Sequence, residues 1–255
     1  MDKKDTNDSK KEEEKKEEEK REESLPQMIA RETFEWIVCI LVAFALAVTI
    51  KYFIFTPTLV KQSSMYPTIF SDERVFVNRL TRTFKLDIDR GDIITLEAPS
   101  GSISQDNVTA YYDEFKGVKW FTYEVLEIGK MSYIKRVIGI SGDTIKIEDG
   151  NVYLNGELLD ESAYLPEGTK TYIDDTSFTH IKDEFVVPAG YVFAMGDNRS
   201  YSKDCRQLGC IPIEKIEGKV LFRIWPINKF GGIKKSTITK EEVDKHNLEQ
   251  QQFKL

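Results

Sequence analysis

Tyr133-Ile134-Lys135-Arg136-Val137-Ile138 is the stretch that decides the fold. Aromatic and β-branched residues dominate it, a composition that predicts a β-strand. Asp149-Gly150 lies between two further β-branched runs and predicts the tight turn of a β-hairpin. Similar short runs recur at residues 74–78, 92–96, 191–195 and 219–224. The sequence therefore predicts a mostly β protein whose folded part is an antiparallel, barrel-like domain.

A long apolar run precedes this β region. Residues 36–50 are apolar apart from Thr49, and an aromatic stretch follows Lys51, giving about 20 residues, enough to cross a bilayer as a helix. We therefore expect one transmembrane helix over residues 34–56. Lys and Arg crowd its N-terminal side, which predicts a cytoplasmic N-terminus and an extracytoplasmic β domain in the cell membrane.

Two alternatives for the apolar run stay open. It is also compatible with a buried core helix, although it shows no polar face. Ala43-Phe44-Ala45 and Ala45-Leu46-Ala47 match the small-x-small pattern of a cleaved signal sequence. Because these alanines lie inside the apolar run and not after it, we favour an uncleaved anchor.

The composition excludes several function classes. The net charge of −7 leaves no basic surplus for binding nucleic acid. Residues 1–24, mostly Lys and Glu, cannot bury enough apolar surface to fold, so we expect disorder or at most a solvated helix. Of the three cysteines, Cys205 and Cys210 are compatible with either a short loop disulfide or two free thiols. The sequence contains no cluster of Cys and His residues that would suggest a zinc site.

A serine and a lysine are the candidate catalytic pair. Ser64 directly follows the apolar run, and Pro67 keeps it out of a helix interior. A serine needs a base to become nucleophilic, yet the two histidines lie in polar stretches. Lys135 has apolar strand neighbours, and burial lowers the pKa of a lysine so that it can act as a base. Taken singly, a linker serine and an edge-strand lysine would explain the same residues.

Five motifs in order resemble those of the type I signal peptidases. They are Ser-Met-x-Pro-Thr at residues 64–68, Arg-Gly-Asp at 90–92, Tyr-Ile-Lys-Arg-Val-Ile-Gly at 133–139, Gly-Asp at 142–143 and Gly-Asp-Asn-Arg at 196–199. With the apolar run upstream, the resemblance covers residues 34–226 and is closest to the Gram-positive branch.

This resemblance implies specific roles for the motif residues. Ser64 would attack the scissile carbonyl of a preprotein, with Lys135 as general base and Ser202 as a hydrogen-bond partner that orients the lysine amine. Asp197 and Arg199 would hold their loop in shape, and Asp204 would pair with Arg206 or another cation. The Ser64 N–H would hold the oxyanion. Gln62 stands where many members have glycine and some have serine, so its amide is a candidate second donor.

The resemblance also implies a domain division and partners. It assigns residues 1–33 to a charged cytoplasmic arm, 34–56 to the anchor, 57–235 to the catalytic domain with a small β cap near 144–190, and 236–255 to a tail. The substrates would be signal peptides of preproteins with small side chains at positions −1 and −3. The lipid bilayer would be the second partner. We expect a monomer that requires neither a cofactor nor a metal.

Other functions compete with this interpretation. Ser132-Tyr133-Ile134-Lys135 fits the Ser-x-x-Lys pattern of penicillin-binding enzymes, but their Ser-Asp-Asn and Lys-Thr-Gly motifs do not follow. A self-cleaving repressor-type Ser/Lys protease would share the chemistry but would carry a DNA-binding module instead of an anchor. A non-catalytic, membrane-anchored β domain that binds other proteins is the non-enzymatic alternative.

Overall fold

The computed structural model describes residues 5–100, 108–173, 184–233 and 240–252. The chain divides into two compact units, residues 1–49 and residues 50–255. The helices are α1 (Asp5–Phe53), α2 (Leu80–Thr83), α3 (Gly117–Trp120), α4 (Cys205–Leu208) and α5 (Lys240–Gln252). A π-helical turn covers Phe121–Val125, and 3₁₀ turns cover Ile213–Lys215 and Ile227–Lys229.

The strands follow the β-branched and aromatic runs of the sequence. They are β1 (Phe55–Leu59), β2 (Arg74–Asn78), β3 (Ile93–Glu97), β4 (Ser132–Ile140), β5 (Thr144–Glu148), β6 (Asn151–Leu154), β7 (Glu157–Leu158), β8 (Phe185–Val186), β9 (Tyr191–Met195), β10 (Ile211–Pro212), β11 (Ile216–Trp225) and β12 (Gly231–Gly232). The prediction of a mostly antiparallel β fold is confirmed.

Eight of these strands form the main sheet. Their order is β1-β2-β11-β3-β4-β9-β10, with β12 on β11, and every ladder is antiparallel. The central strand β11 carries register shifts against both β2 and β3. Such bulges bend a strand and increase its twist, and the sheet is curled into a half-barrel.

A smaller sheet is inserted between β4 and β9. Its order is β7-β6-β5-β8, again antiparallel. The hairpin of β5 and β6 turns at Asp149 and Gly150, both with positive φ, as the Asp-Gly signal predicts.

Strand β4 contributes to two buried apolar clusters, because successive side chains of a strand point to opposite faces. The larger cluster includes Val137 and Phe193. The second cluster includes Ile134 and also Met65 and Ile69, from the segment between β1 and β2. Met65 and Ile69 therefore anchor the neighbourhood of Ser64 in the apolar interior.

Helix α1 begins at Asp5, so the charged segment is helical, one of the two states expected for it. Lys and Glu have high helix propensity, and they continue a helix that the apolar run has already formed. The helix ends at Phe53, because β1 begins at Phe55 and pairs with β2.

Residues Gln27–Phe53 of α1 are long and apolar enough to cross a membrane. Their most apolar part has none of its residues buried, and Trp36 and Phe44 are more than half exposed. This exposure contradicts the alternative of a buried core helix. Length and composition do not separate a retained anchor from a signal sequence.

The bulged strand β11 yields a test of the fold. A Cβ at Gly218 would lie 2.3 Å from the backbone oxygen of Asn78 in β2. The backbone of a paired strand can move away only at a substantial cost in free energy. We expect Gly218→Ala to destabilise the β domain by about 1–3 kcal/mol, the usual cost of overpacking. Thermal unfolding in detergent, monitored by circular dichroism, measures this loss of stability. Gly232→Ala is the matched control, because a Cβ there meets nothing within 4 Å, and equal melting temperatures for both variants would contradict the expectation.

Candidate active site

Ser64 lies in a tight turn between β1 and β2. Backbone hydrogen bonds from Tyr66 N to Ser63 O and from Ile69 N to Met65 O fold this segment back on itself. Ser64 is buried, with 8% of its surface exposed. Its carbonyl oxygen accepts a hydrogen bond from the backbone N–H of Asn198, at 3.0 Å. The serine is therefore held by main-chain contacts on both sides.

Lys135 reaches Ser64 from the middle of β4. It pairs with Ile94 of β3 in the sheet, and only 2% of it is exposed. Its Nζ donates a hydrogen bond of 2.7 Å to Ser64 Oγ. The structure thus brings together the two residues that the sequence singles out, although they lie 71 positions apart in the chain.

Burial changes the acidity of this lysine. Desolvation, the largest cause, lowers the pKa of Lys135 from 10.5 to about 8, and the nearby Arg206 acts in the same direction. The carboxylates of Asp204 and Asp197 oppose the shift. A pKa near 8 places a useful fraction of the amine in its neutral, basic form near physiological pH.

Asp197 joins the serine segment to β4. Its carboxylate accepts a 2.5 Å hydrogen bond from the hydroxyl of Thr68 and two from the guanidinium of Arg136, at 2.9 and 2.8 Å. Arg136 also donates to the carbonyl oxygen of Gly91, in the Arg-Gly-Asp motif. The residue next to Lys135 in the chain is thereby tied to the loop that follows β9.

Arg199 joins that loop to the segment between β7 and β8 of the small sheet. Its guanidinium donates to the Gly196 carbonyl oxygen at 3.1 Å, to Thr171 Oγ1 at 2.6 Å and to both carboxylate oxygens of Glu161 at 2.9 and 2.5 Å. Asp204 and Arg206 pair through two hydrogen bonds of 2.9 and 2.8 Å, and Asp204 also accepts from the Gly196 N–H. Arg199 and Asp204 thus each contact the backbone of Gly196, the residue before Asp197.

Ser202 departs from its expected role. Its Oγ is buried and forms no hydrogen bond with the described part of the chain, so the expected bond to the Lys135 amine is not made. The Ser202 side chain instead packs against Gly196, where an added Cβ would lie 2.2 Å from its Oγ and 2.4 Å from the carbonyl oxygen of Ser64. Ser202 is close to the site, but its hydroxyl faces Gly196 while the amine faces Ser64.

The remaining candidates lie outside this network. Gln62 is exposed, two residues before Ser64. Cys205 and Cys210 are both buried thiols that are not joined by a disulfide, so of the two alternatives left open the disulfide is wrong. Cys205 Sγ accepts a hydrogen bond from the Ala194 N–H, at 3.1 Å, which gives the thiol a structural role without a bridge.

Several residues of the network were missed by sequence reasoning. Thr68 and Arg136 lie inside quoted motifs, and that position was the available signal. Glu161 and Thr171 carried no such signal. They come from an irregular segment, where polar residues are common.

The site contains a hydroxyl that is hydrogen-bonded to a buried amine of lowered pKa. This arrangement is typical of sites that can perform nucleophilic acyl transfer without histidine. Comparison with known proteins gives the family. Residues 33–225 match the family model described as signal peptidase, peptidase S26. The chain therefore belongs to the signal peptidase family.

Two curated relatives agree with this assignment. Signal peptidase I S of Bacillus subtilis (strain 168) is 36% identical over 199 residues, covering 76% of this chain and 90% of the relative. Signal peptidase IB of Staphylococcus aureus (strain Mu50 / ATCC 700699) is 32% identical over 209 residues, covering 78% and 93%. A crystal structure of a signal peptidase I from Enterococcus faecalis V583 is 24% identical and covers 52% of this chain and 97% of its own, with a TM-score of 0.34.

Proposed function

We propose that this chain removes N-terminal signal peptides from exported preproteins, with Ser64 as nucleophile and Lys135 as general base. Family membership supports the reaction, and one observation supports the residues: the 2.7 Å hydrogen bond between the Lys135 amine and the Ser64 hydroxyl. The burial of both groups keeps water from competing for that bond.

The chemistry follows from these two groups. Neutral Lys135 takes the proton of the Ser64 hydroxyl as Oγ attacks the scissile carbonyl carbon. The tetrahedral intermediate collapses to an acyl-enzyme when the peptide C–N bond breaks and Lys135 returns the proton to the leaving amine. Water, deprotonated by Lys135, then attacks the ester, and Ser64 regains its proton as the second product leaves.

The negative oxygen of the intermediate needs hydrogen-bond donors. The Ser64 N–H is one donor in this proposal, and the Gln62 side-chain amide is the second. Asp197 and Arg199 hold the loop after β9 in place through the ion pairs described above. Ser202 is a supporting residue whose hydroxyl would have to turn from Gly196 to reach the amine.

We infer the membrane arrangement from charge and hydropathy. A single span over residues 34–56, with residues 1–33 in the cytoplasm, places the catalytic domain of residues 57–235 outside the cell membrane. The small sheet within residues 144–190 forms its cap, and residues 236–255 form the tail. Enzyme and signal peptide then share one lipid surface, which raises their effective concentration. A monomer suffices for this scheme, because both proposed catalytic residues come from one chain.

Removing either group of the pair tests the proposal. We expect Ser64→Ala and Lys135→Met to lower the cleavage of a preprotein by at least about 10³-fold, because nucleophile and base act as a unit. Cleavage by the full chain in detergent is measured by gel, and the melting temperature of each variant is checked. Lys61→Ala, an exposed neighbour, is the control. Turnover by folded Ser64→Ala near the wild-type rate would remove Ser64 from the mechanism, and retained turnover in both variants would assign catalysis to other residues.

Gln62 is tested separately. If its amide donates to the oxyanion, Gln62→Ala lowers kcat by about 10²-fold, the usual effect of losing one such donor. Gln62→Glu, which has similar size but no donor in its ionised form, shows the same loss. Unchanged kcat in both variants would leave the backbone N–H of Ser64 as the proposed donor and exclude the Gln62 side chain.

A further inference from the structure

The C-terminal helix α5 packs on the segment that carries Ser64. The imidazole of His246 stacks on the ring of Tyr66, with centroids 4.4 Å apart and planes 13° from parallel. Val243 is also buried, although most of the helix is polar and exposed. A charged tail helix with little apolar surface needs a specific reason to lie at this place.

A buried pair of amides lies beside that stack. Asn198 Nδ2 donates to Asn247 Oδ1 and Asn247 Nδ2 donates to Asn198 Oδ1, both at 2.8 Å. Only 1% of Asn198 and 6% of Asn247 are exposed. In such a site the two hydrogen bonds are strong and their loss is costly, because water does not replace them.

Asn198 in turn holds the main chain of the nucleophile. A side-chain amide has two N–H donors, and the Nδ2 of Asn198 also donates to the carbonyl oxygen of Ser63, at 3.0 Å. The backbone N–H of Asn198 donates to the carbonyl oxygen of Ser64, at 3.0 Å. One residue therefore fixes the carbonyls of both Ser63 and Ser64.

The Ser63 carbonyl decides which way the Asn198 amide points, because a flipped amide would set oxygen against oxygen there. Asn247 holds the plane of that amide through the two bonds of the pair. Without Asn247, the Asn198 side chain keeps only its bond to Ser63 among the contacts given above. The contacts of Asn198 with the nucleophile segment then become mobile.

We propose that Asn247 is a positioning residue, which orients Ser64 for attack by locking Asn198 through the buried amide pair. This inference rests on the proposed role of Ser64 as nucleophile. Asn247 touches neither Ser64 nor Lys135; it acts through Asn198 alone. Small errors in the placement of a reacting atom cost large factors in rate, so the effect appears in kcat.

The first experiment compares two substitutions on one helix. Asn247→Ala is expected to lower the kcat of the full chain for a preprotein by about tenfold, a ratio that corresponds to about 1.4 kcal/mol. KM is expected to stay the same. Lys245→Ala, exposed on the same helix, is expected to match the wild type. A kcat for Asn247→Ala within about twofold of that control would overturn the proposal.

A double-mutant comparison tests the route through Asn198. If Asn247 acts only by locking Asn198, then adding Asn247→Ala to Asn198→Ala lowers kcat no further. Full additivity of the two losses would contradict this route. Ser64→Ala is measured in the same series. Turnover by that variant would contradict the assignment of Ser64 as nucleophile. If Ser64→Ala is inactive but Asn247→Ala keeps the wild-type kcat, only the inference about Asn247 is wrong.

A third variant distinguishes positioning from general destabilisation, including the case in which Asn247→Ala melts at a lower temperature. The ionised carboxylate of Asn247→Asp has no hydrogen to donate and would repel Asn198 Oδ1, but its protonated form donates to that oxygen and rebuilds the pair. The ratio of its kcat to the wild-type kcat is therefore expected to rise as the pH falls. The melting temperature is followed over the same pH range. A ratio that does not change with pH, or that rises only as far as the folded fraction rises, would overturn the proposal.

Discussion

The hydrogen bond between the Lys135 amine and the Ser64 hydroxyl is the contact around which the proposed mechanism is built. To act as a base, the amine must be neutral so that it can accept the hydroxyl proton, and burial favours that neutral form. With a pKa of about 8, about one amine in ten is neutral at pH 7. At the ordinary lysine value the fraction would be about one in three thousand. The fold therefore has to keep water away from one amine on a central strand.

Acidic groups around the amine work against that requirement, and the structure compensates for each of them. Asp204 and Asp197 both raise the pKa of Lys135. Each carboxylate is paired with its own arginine, Asp204 with Arg206 and Asp197 with Arg136. The paired charges partly cancel, so desolvation remains the dominant cause. The same pairs tie the loop after β9 to β4 and to α4, which also keeps the Ser64 segment in place.

The sequence predicted the parts of this arrangement that depend on local pattern. β-Branched runs mark the strands, Asp149-Gly150 marks a hairpin, and apolar neighbours mark Lys135 as a buried lysine. The contacts of Glu161 and Asn247 are different, because they join residues 38 and 49 positions apart through polar side chains in irregular or charged segments. Nothing in the local sequence distinguishes such residues from solvated ones. The hydroxyl direction of Ser202 is a matter of side-chain geometry that a motif does not encode.

Direct titration of the Lys135 amine tests the central claim. Nuclear magnetic resonance of the full chain in detergent micelles, labelled in its lysine side chains, follows each amine as the pH changes, and the spectrum of Lys135→Met identifies the signal that belongs to Lys135. We expect a midpoint at about pH 8 for that signal, well below the ordinary lysine value of about 10.4. A Lys135 midpoint at the ordinary value would mean that the amine is hydrated and charged, and would exclude it as the proposed base.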